Sequence, residues 1–195
     1  MGAPIENSVK EPRRRDAQAT RAAILASAKA QFALAGYEGA FLKDIAADAG
    51  VDAALINRYF GGKQGLFEAV LQEAIRSERL FSGDRKRFGR DVAKVFAARA
   101  GAASEEGLRG FQLILRAAMS PATAPMLNEA VHAKFMGPIR DWLGGEHAET
   151  RARLISSIFI GLLVEAAVRG EPLPDRERGP FVERLGAMLQ ALVDG

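Results

Sequence analysis

Residues 42–60 read Leu42-Lys43-Asp44-Ile45-Ala46-Ala47-Asp48-Ala49-Gly50-Val51-Asp52-Ala53-Ala54-Leu55-Ile56-Asn57-Arg58-Tyr59-Phe60. Leu42, Ile45, Ala46 and Ala49 recur with the helical period, Gly50 stops the pattern, and Asp52 is a residue type that opens helices. The spacing predicts a helix over Leu42–Ala49, a tight turn, and a short helix over Ala53–Phe60 closed by Gly61-Gly62. Gly50 permits the left-handed conformation that reverses the chain. Ile45 and Val51 fill the inside of the turn, and the small Ala46 and Ala49 let the helices approach. This is the helix-turn-helix pattern, whose second helix can enter a major groove. Many helix pairs in ordinary bundles share it, so spacing alone leaves groove binding and bundle packing both open.

Upstream, Ile24, Leu25, Ala28 and Phe32 predict a helix over Thr20–Ala35, ended by Gly36 and Gly39. Downstream, Lys63 opens a fourth helix running to about Leu80, followed by helices over Arg85–Ala102, Ser104–Ser120, Pro125–Leu143, Glu149–Arg169 and Gly179–Val193. No stretch alternates apolar and polar residues with β-branched enrichment, so the expected class is all-α. A domain boundary is expected within the fourth helix, because three short helices precede it and five longer ones follow.

The chain has 195 residues, 48% apolar and 26% charged, enough for a buried core and too balanced for wholesale disorder. Cysteine is absent and the two histidines are His132 and His147, which removes disulfides, thiolate zinc sites and cysteine nucleophiles. No nucleophile–base pair, metal-ligand spacing or phosphate-binding glycine loop can be read; no cofactor, no metal and no catalysis are expected. Met1–Arg15 is polar and ends in three arginines, unlike a signal peptide. The most apolar run, Ile155–Val168, is interrupted by Glu165 and falls short of the roughly 18 residues of a spanning helix. A cytoplasmic protein without membrane association is therefore expected. Net charge is +3, with nine Lys and Arg against seven Asp and Glu in residues 1–63. A basic footprint would thus arise from placement on one face rather than from bulk charge.

Residues 21–71 resemble the DNA-binding domain of the TetR family of bacterial transcriptional regulators, through Arg21, Ile24-Leu25, Ala28, Phe32, Gly36-Tyr37, Asp44-Ile45-Ala46, Ala49-Gly50-Val51, Tyr59-Phe60, Lys63 and Leu66. The resemblance implies a disordered basic arm (1–15), a helix-turn-helix domain (16–66) and a larger helical ligand-binding and dimerisation domain (67–195). It also implies a homodimer that binds a palindromic operator on double-stranded DNA, usually as a repressor, and lets go when an apolar small molecule enters the second domain. The alternative reading is a helical small-molecule-binding protein or enzyme that does not bind DNA.

Carried over by position, Ala53–Phe60 is the recognition helix and Lys63 a phosphate contact. Arg58 can offer a bidentate fork to guanine and Asn57 can pair with adenine or phosphate. Ala53 and Ala54 can touch only thymine methyls or sugar. Arg21, Lys43 and Tyr59 complete the expected DNA contacts, and Arg13–Arg15 form the basic arm. Two departures stand out. Ala40 and Phe41 occupy the place of small hydroxyl residues before the second helix, which removes an N-cap and a phosphate contact. Asn57 and Ala54 replace a usual tyrosine and a frequent glycine.

In the second domain Phe67, Phe96, Phe111, Leu115, Met119, Met126, Trp142 and Phe159 are the candidate pocket residues, since flexible and aromatic apolar side chains suit an apolar effector. Ile155, Phe159, Leu162 and Leu163, with Val182, Leu185, Met188 and Leu189 on the last helix, are the expected dimer seam. A helix apolar nearly all round must be covered on several sides. Glu165, one turn before Arg169, is expected to form a local ion pair.

Overall fold

A computed structural model describes residues 10–75, 83–99, 105–169, 171 and 173–195, and every regular element among them is helical. The chain divides into two compact units, residues 1–70 and 71–195.

Unit 1 begins with α1 (Lys10–Gly39), whose helical geometry is interrupted at Gly36 (φ 72°, ψ 178°), the glycine expected to end it. Its start differs from the expected disordered arm. Lys10–Arg15 form the first turns, because lysine, glutamate and arginine are good helix formers and Pro12 falls in the first turn, where no hydrogen bond is lost. The rest of that arm, residues 1–9, lies outside the described residues. Then come α2 (Leu42–Asp48), α3 (Ala53–Phe60) and α4 (Lys63–Ala74). The expected continuation of α4 to Leu80 lies outside the described residues. Ile24, Ala28, Phe32, Ile45, Ile56 and Leu66 are buried and make the core of this unit.

Unit 2 contains a 3-10 turn (Arg85–Arg87), then α5 (Phe88–Arg99), α6 (Glu105–Met119), α7 (Ala124–Val131), α8 (Gly137–Leu143), α9 (Ala148–Arg169) and α10 (Asp175–Asp194). The helix expected over Pro125–Leu143 is divided by a π-helical segment, His132–Met136, between α7 and α8. α10 starts one turn before the expected Gly179. Asp175 and Glu177 suit the positive end of the helix dipole, and Pro180 inside the helix removes one exposed hydrogen bond without breaking it.

α5 crosses α10 at a pair of glycines. A Cβ on Gly89 would stand 2.2 Å from the Gly186 carbonyl oxygen and 2.7 Å from the Gln190 nitrogen, so only glycine permits this approach. Gln190 ties the crossing: its side-chain oxygen accepts from the Gly89 N–H (3.0 Å) and its amide donates to the Arg85 carbonyl (3.1 Å). Around this crossing Val92, Ile139, Leu143, Ile155, Leu189 and Val193 form the buried core.

Two guanidinium groups close the end of that core. Arg85 donates to the carbonyls of Trp142 (2.7 Å), Leu143 (2.6 Å) and Val193 (3.1 Å) and lies over the Trp142 ring. Arg151, only 9% exposed, donates to Gly144, Leu192 and Val193. Both cations thus meet the carbonyl ends of α8 and α10, where the helix dipoles are negative and the last carbonyls lack helical partners.

Candidate nucleic-acid interface

The turn between α2 and α3 is built as its residue types dictate. Gly50 has a φ of 66°, and the Asp52 carboxylate accepts the Ala54 N–H (2.7 Å) as the N-cap of α3. Ile45 and Ala46 are buried and Val51 half-buried beneath the turn. α1 braces α2 from one side: the Ser27 hydroxyl donates to the Ile45 carbonyl (2.9 Å) and the Gln31 amide to the Asp48 carboxylate. Neither brace carries a spacing signal that distinguishes it from an ordinary solvated serine or glutamine.

On α3 the arc is divided cleanly. At about 100° per residue, Ala53, Asn57, Ala54 and Arg58 cover a contiguous arc of about 140°. All four are exposed. The opposite arc carries Ile56, fully buried, with Leu55, Tyr59 and Phe60 half-buried. A helix held by one face and presenting alanines, an amide and a guanidinium on the other has the shape and donors that groove reading needs.

The remaining candidates surround α3 and α4. Arg21 is exposed, its guanidinium 4.9 Å from the centre of the Phe60 ring. Lys63 is half-buried: its Nζ donates to the Glu38 carbonyl (3.2 Å) and lies 4.9 Å from the Tyr37 ring centre. Burial, then the nearby Glu38 and Glu68 carboxylates, pushes the Tyr37 phenol above its ordinary value. The ring therefore stays neutral at physiological pH and holds the ammonium through its π face. The sequence named Lys63 but missed Tyr37 and Glu38 as its supports, since cation–ring contacts between distant residues leave no periodic trace. Lys43 is exposed, its Nζ 5.8 Å from the ring of Phe41, which stands at the N-cap of α2 and makes no side-chain cap bond.

The structure corrects several assignments to a pocket. Phe67 is buried in unit 1, edge-on to Phe32 and to Tyr37 with ring centres 4.9 Å apart in each case, so it is core beneath the helix-turn-helix. Met119 is 85% exposed and Leu115 also faces outward. Along α6, Phe111, Leu115 and Met119 each advance by about 40° around the axis, which carries the stripe off the buried face. Trp142 is half-buried against Phe88 (5.0 Å) and covered by Arg85. Phe159 is buried between Phe96 (5.3 Å) and Phe135 (5.9 Å). Phe111 is buried, and Phe96 and Met126 are half-buried.

Half of the residues expected in the dimer seam lie elsewhere. Ile155, Phe159, Leu185 and Leu189 are already buried within a single chain and belong to its own core. An all-round apolar helix is covered here on its buried side by its own unit, so a stripe that needs cover does not need a partner. Leu162, Leu163 and Val182 are half-buried, whereas Met188 is exposed together with Leu154, Ile160 and Val168. Glu165 and Arg169 form the expected ion pair at 2.6 Å on the surface of α9.

An all-α chain in which a braced helix-turn-helix precedes a larger helical unit defines a helix-turn-helix regulator. Residues 24–70 match the profile of the bacterial regulatory proteins of the tetR family, and residues 86–193 match that of the tetracyclin repressor-like C-terminal domain. The chain belongs to the TetR family of transcriptional regulators. It is similar to the HTH-type transcriptional repressor SCO4008 of Streptomyces coelicolor, 44% identical over 59 residues that make up 30% of this chain and 31% of that protein. It therefore spans less than a third of that relative's length. Its fold is similar to that of NalD, the secondary repressor of the MexAB-OprM multidrug efflux pump in Pseudomonas aeruginosa. That structure gives a TM-score of 0.66 at 21% identity, over 87% of this chain and 96% of NalD. The multidrug binding protein EbrR, in complex with malachite green, has a TM-score of 0.63 at 20% identity, over 88% of this chain and 96% of EbrR. No helix among the described residues is long and apolar enough to cross a membrane.

Proposed function

We propose that the protein is a transcriptional repressor that binds a palindromic operator as a homodimer and is released by an apolar small molecule held in unit 2. The observation that carries the reading is the exposed arc of α3, with Ala53, Ala54, Asn57 and Arg58 outward while Ile56 anchors the helix from behind. Arg58 and Asn57 are the base-reading candidates. Arg21, Lys43, Tyr59 and Lys63 are assigned to the sugar–phosphate backbone, whose contacts set register without reading sequence.

The dimer face is reassigned to the outward side of α9. Leu154, Gly161 and Val168 follow one another at heptad spacing on the side opposite Ile155 and Phe159, and a Cβ at Gly161 would meet nothing within 4 Å. Two such stripes can pack closely about a two-fold axis, with Met188 of α10 beside them. For the effector, Phe96, Met126 and Trp142 retain half-buried apolar surface in unit 2. Among relatives of the same fold, EbrR is a multidrug binding protein seen in complex with malachite green, which makes bulky aromatic compounds the first effectors to test.

The test is footprinting of genomic fragments with the purified full-length chain. A protected site with two-fold symmetric half-sites is expected; failure to retain any fragment at low salt would contradict the reading.

A further inference from the structure

Phe41 opens α2 as an exposed ring. It is 58% exposed, so the core does not need it, and as the N-cap of α2 it offers no oxygen to the free N–H groups. Serine, threonine or aspartate would cap that helix better. What the ring does have is cations. Lys43 Nζ lies 5.8 Å and Lys63 Nζ 6.0 Å from its centre, and Lys63 is held from behind by Tyr37 and the Glu38 carbonyl. Two like charges gathered at one exposed ring repel each other, and an anion brought between them relieves that repulsion.

Resting on the DNA-binding reading above, we propose that Phe41, Lys43 and Lys63 form a pad for the sugar–phosphate backbone of duplex DNA. The ring covers the apolar face of a deoxyribose and orients both ammonium groups toward the flanking phosphate oxygens. The occupant is set by charge complementarity: an apolar surface of one ring between two cations fits an alternation of sugar and phosphate. Phe41 thereby replaces, by ring contact and pre-organised lysines, the hydroxyl contact that its own position lacks. It acts on affinity and register and does not read sequence, since neither sugar nor phosphate differs between base pairs.

The experiment measures binding of the full-length protein to its footprinted site and to a scrambled duplex of equal length, across a salt series. Phe41→Ala should weaken binding to both duplexes by the same factor. That factor is about five- to thirtyfold for a dimer carrying the change twice, at exposed cation–ring strengths. Both charges remain, so the slope of log affinity against log salt should not change. Lys43→Ala, by contrast, should lower that slope by about two. Phe41→Leu, which keeps apolar contact and loses the π face, should fall between. The thermal midpoint of Phe41→Ala should match that of the parent, because an exposed side chain is removed. Unchanged affinity in Phe41→Ala, a loss confined to the footprinted site, or a loss that tracks a lowered thermal midpoint would each overturn the pad while leaving DNA binding intact. A parent protein that binds neither duplex would remove the DNA-binding reading and the pad with it.

Discussion

α3 and α9 are both helices with apolar and polar faces, yet they present opposite problems. On α3 the informative residues are small, polar or cationic, and they lie outward because Ile56 and its neighbours hold the other side. On α9 the most conspicuous apolar residues, Ile155 and Phe159, lie inward and serve the chain's own core, while the outward stripe is the sparser Leu154, Gly161 and Val168. A polar residue on a short braced helix signals a surface with a task. An apolar residue on a long helix signals only that something covers it, and its own chain is the first candidate.

The sharpest way to break this contrast is at the α5–α10 crossing, where core depends on backbone contact. Gly89→Val should prevent unit 2 from folding, because the new side chain meets the Gly186 carbonyl and the Gln190 backbone rather than a movable side chain. Denaturant unfolding followed by circular dichroism measures the loss, and a variant as stable as its parent would remove the crossing from the account. Next comes the pair that separates inward from outward on α9. Ile155→Ala should lower stability by about 2–5 kcal/mol, as expected for a fully buried aliphatic side chain. Leu154→Glu should leave the unfolding of the single chain nearly unchanged and shift sedimentation from dimer to monomer. If the two phenotypes are exchanged, the notion of which face is core is wrong.

Smaller effects follow in unit 1. Lys63→Ala should weaken all DNA sites alike and lower the salt slope by about two for a dimer, measured by fluorescence anisotropy over a salt series. The smallest change is expected at Glu165→Gln. That ion pair is exposed on both sides, so its removal should move stability by no more than about 0.5 kcal/mol at moderate salt.

The parts legible in the sequence were those with local chemistry. Gly50 and Asp52 act within a residue or two of themselves, so the turn, the cap and the start of α3 could be read directly and the structure agrees. The all-helical class followed from periodicity that persists over many turns. The extension of α1 to Lys10 was missed because a charge run reads equally as tail or as helix. The division of Pro125–Leu143 by a π-helical segment has no cue at the level of apolar period. Phe67 reads equally well as a pocket residue in the sequence, because nothing local says that its ring meets Phe32 and Tyr37, which lie thirty or more residues away in the chain. The guanidinium contacts at the ends of α8 and α10, exposed for Arg85 and buried for Arg151, are equally invisible, since both resemble any surface arginine until the carbonyls they serve are in place.

The central claim is that α3 reads DNA through its outward arc, and Arg58 carries it most directly. Arg58→Ala should be compared with the parent on the footprinted site and on a scrambled duplex at several salt concentrations. The expected result is a loss of about 1–3 kcal/mol per half-site on the footprinted DNA, a much smaller loss on scrambled DNA, and relaxed preference at one symmetric base pair. An equal loss on both duplexes would make Arg58 a backbone contact, and no loss on either would contradict the assignment of α3 as the reading helix.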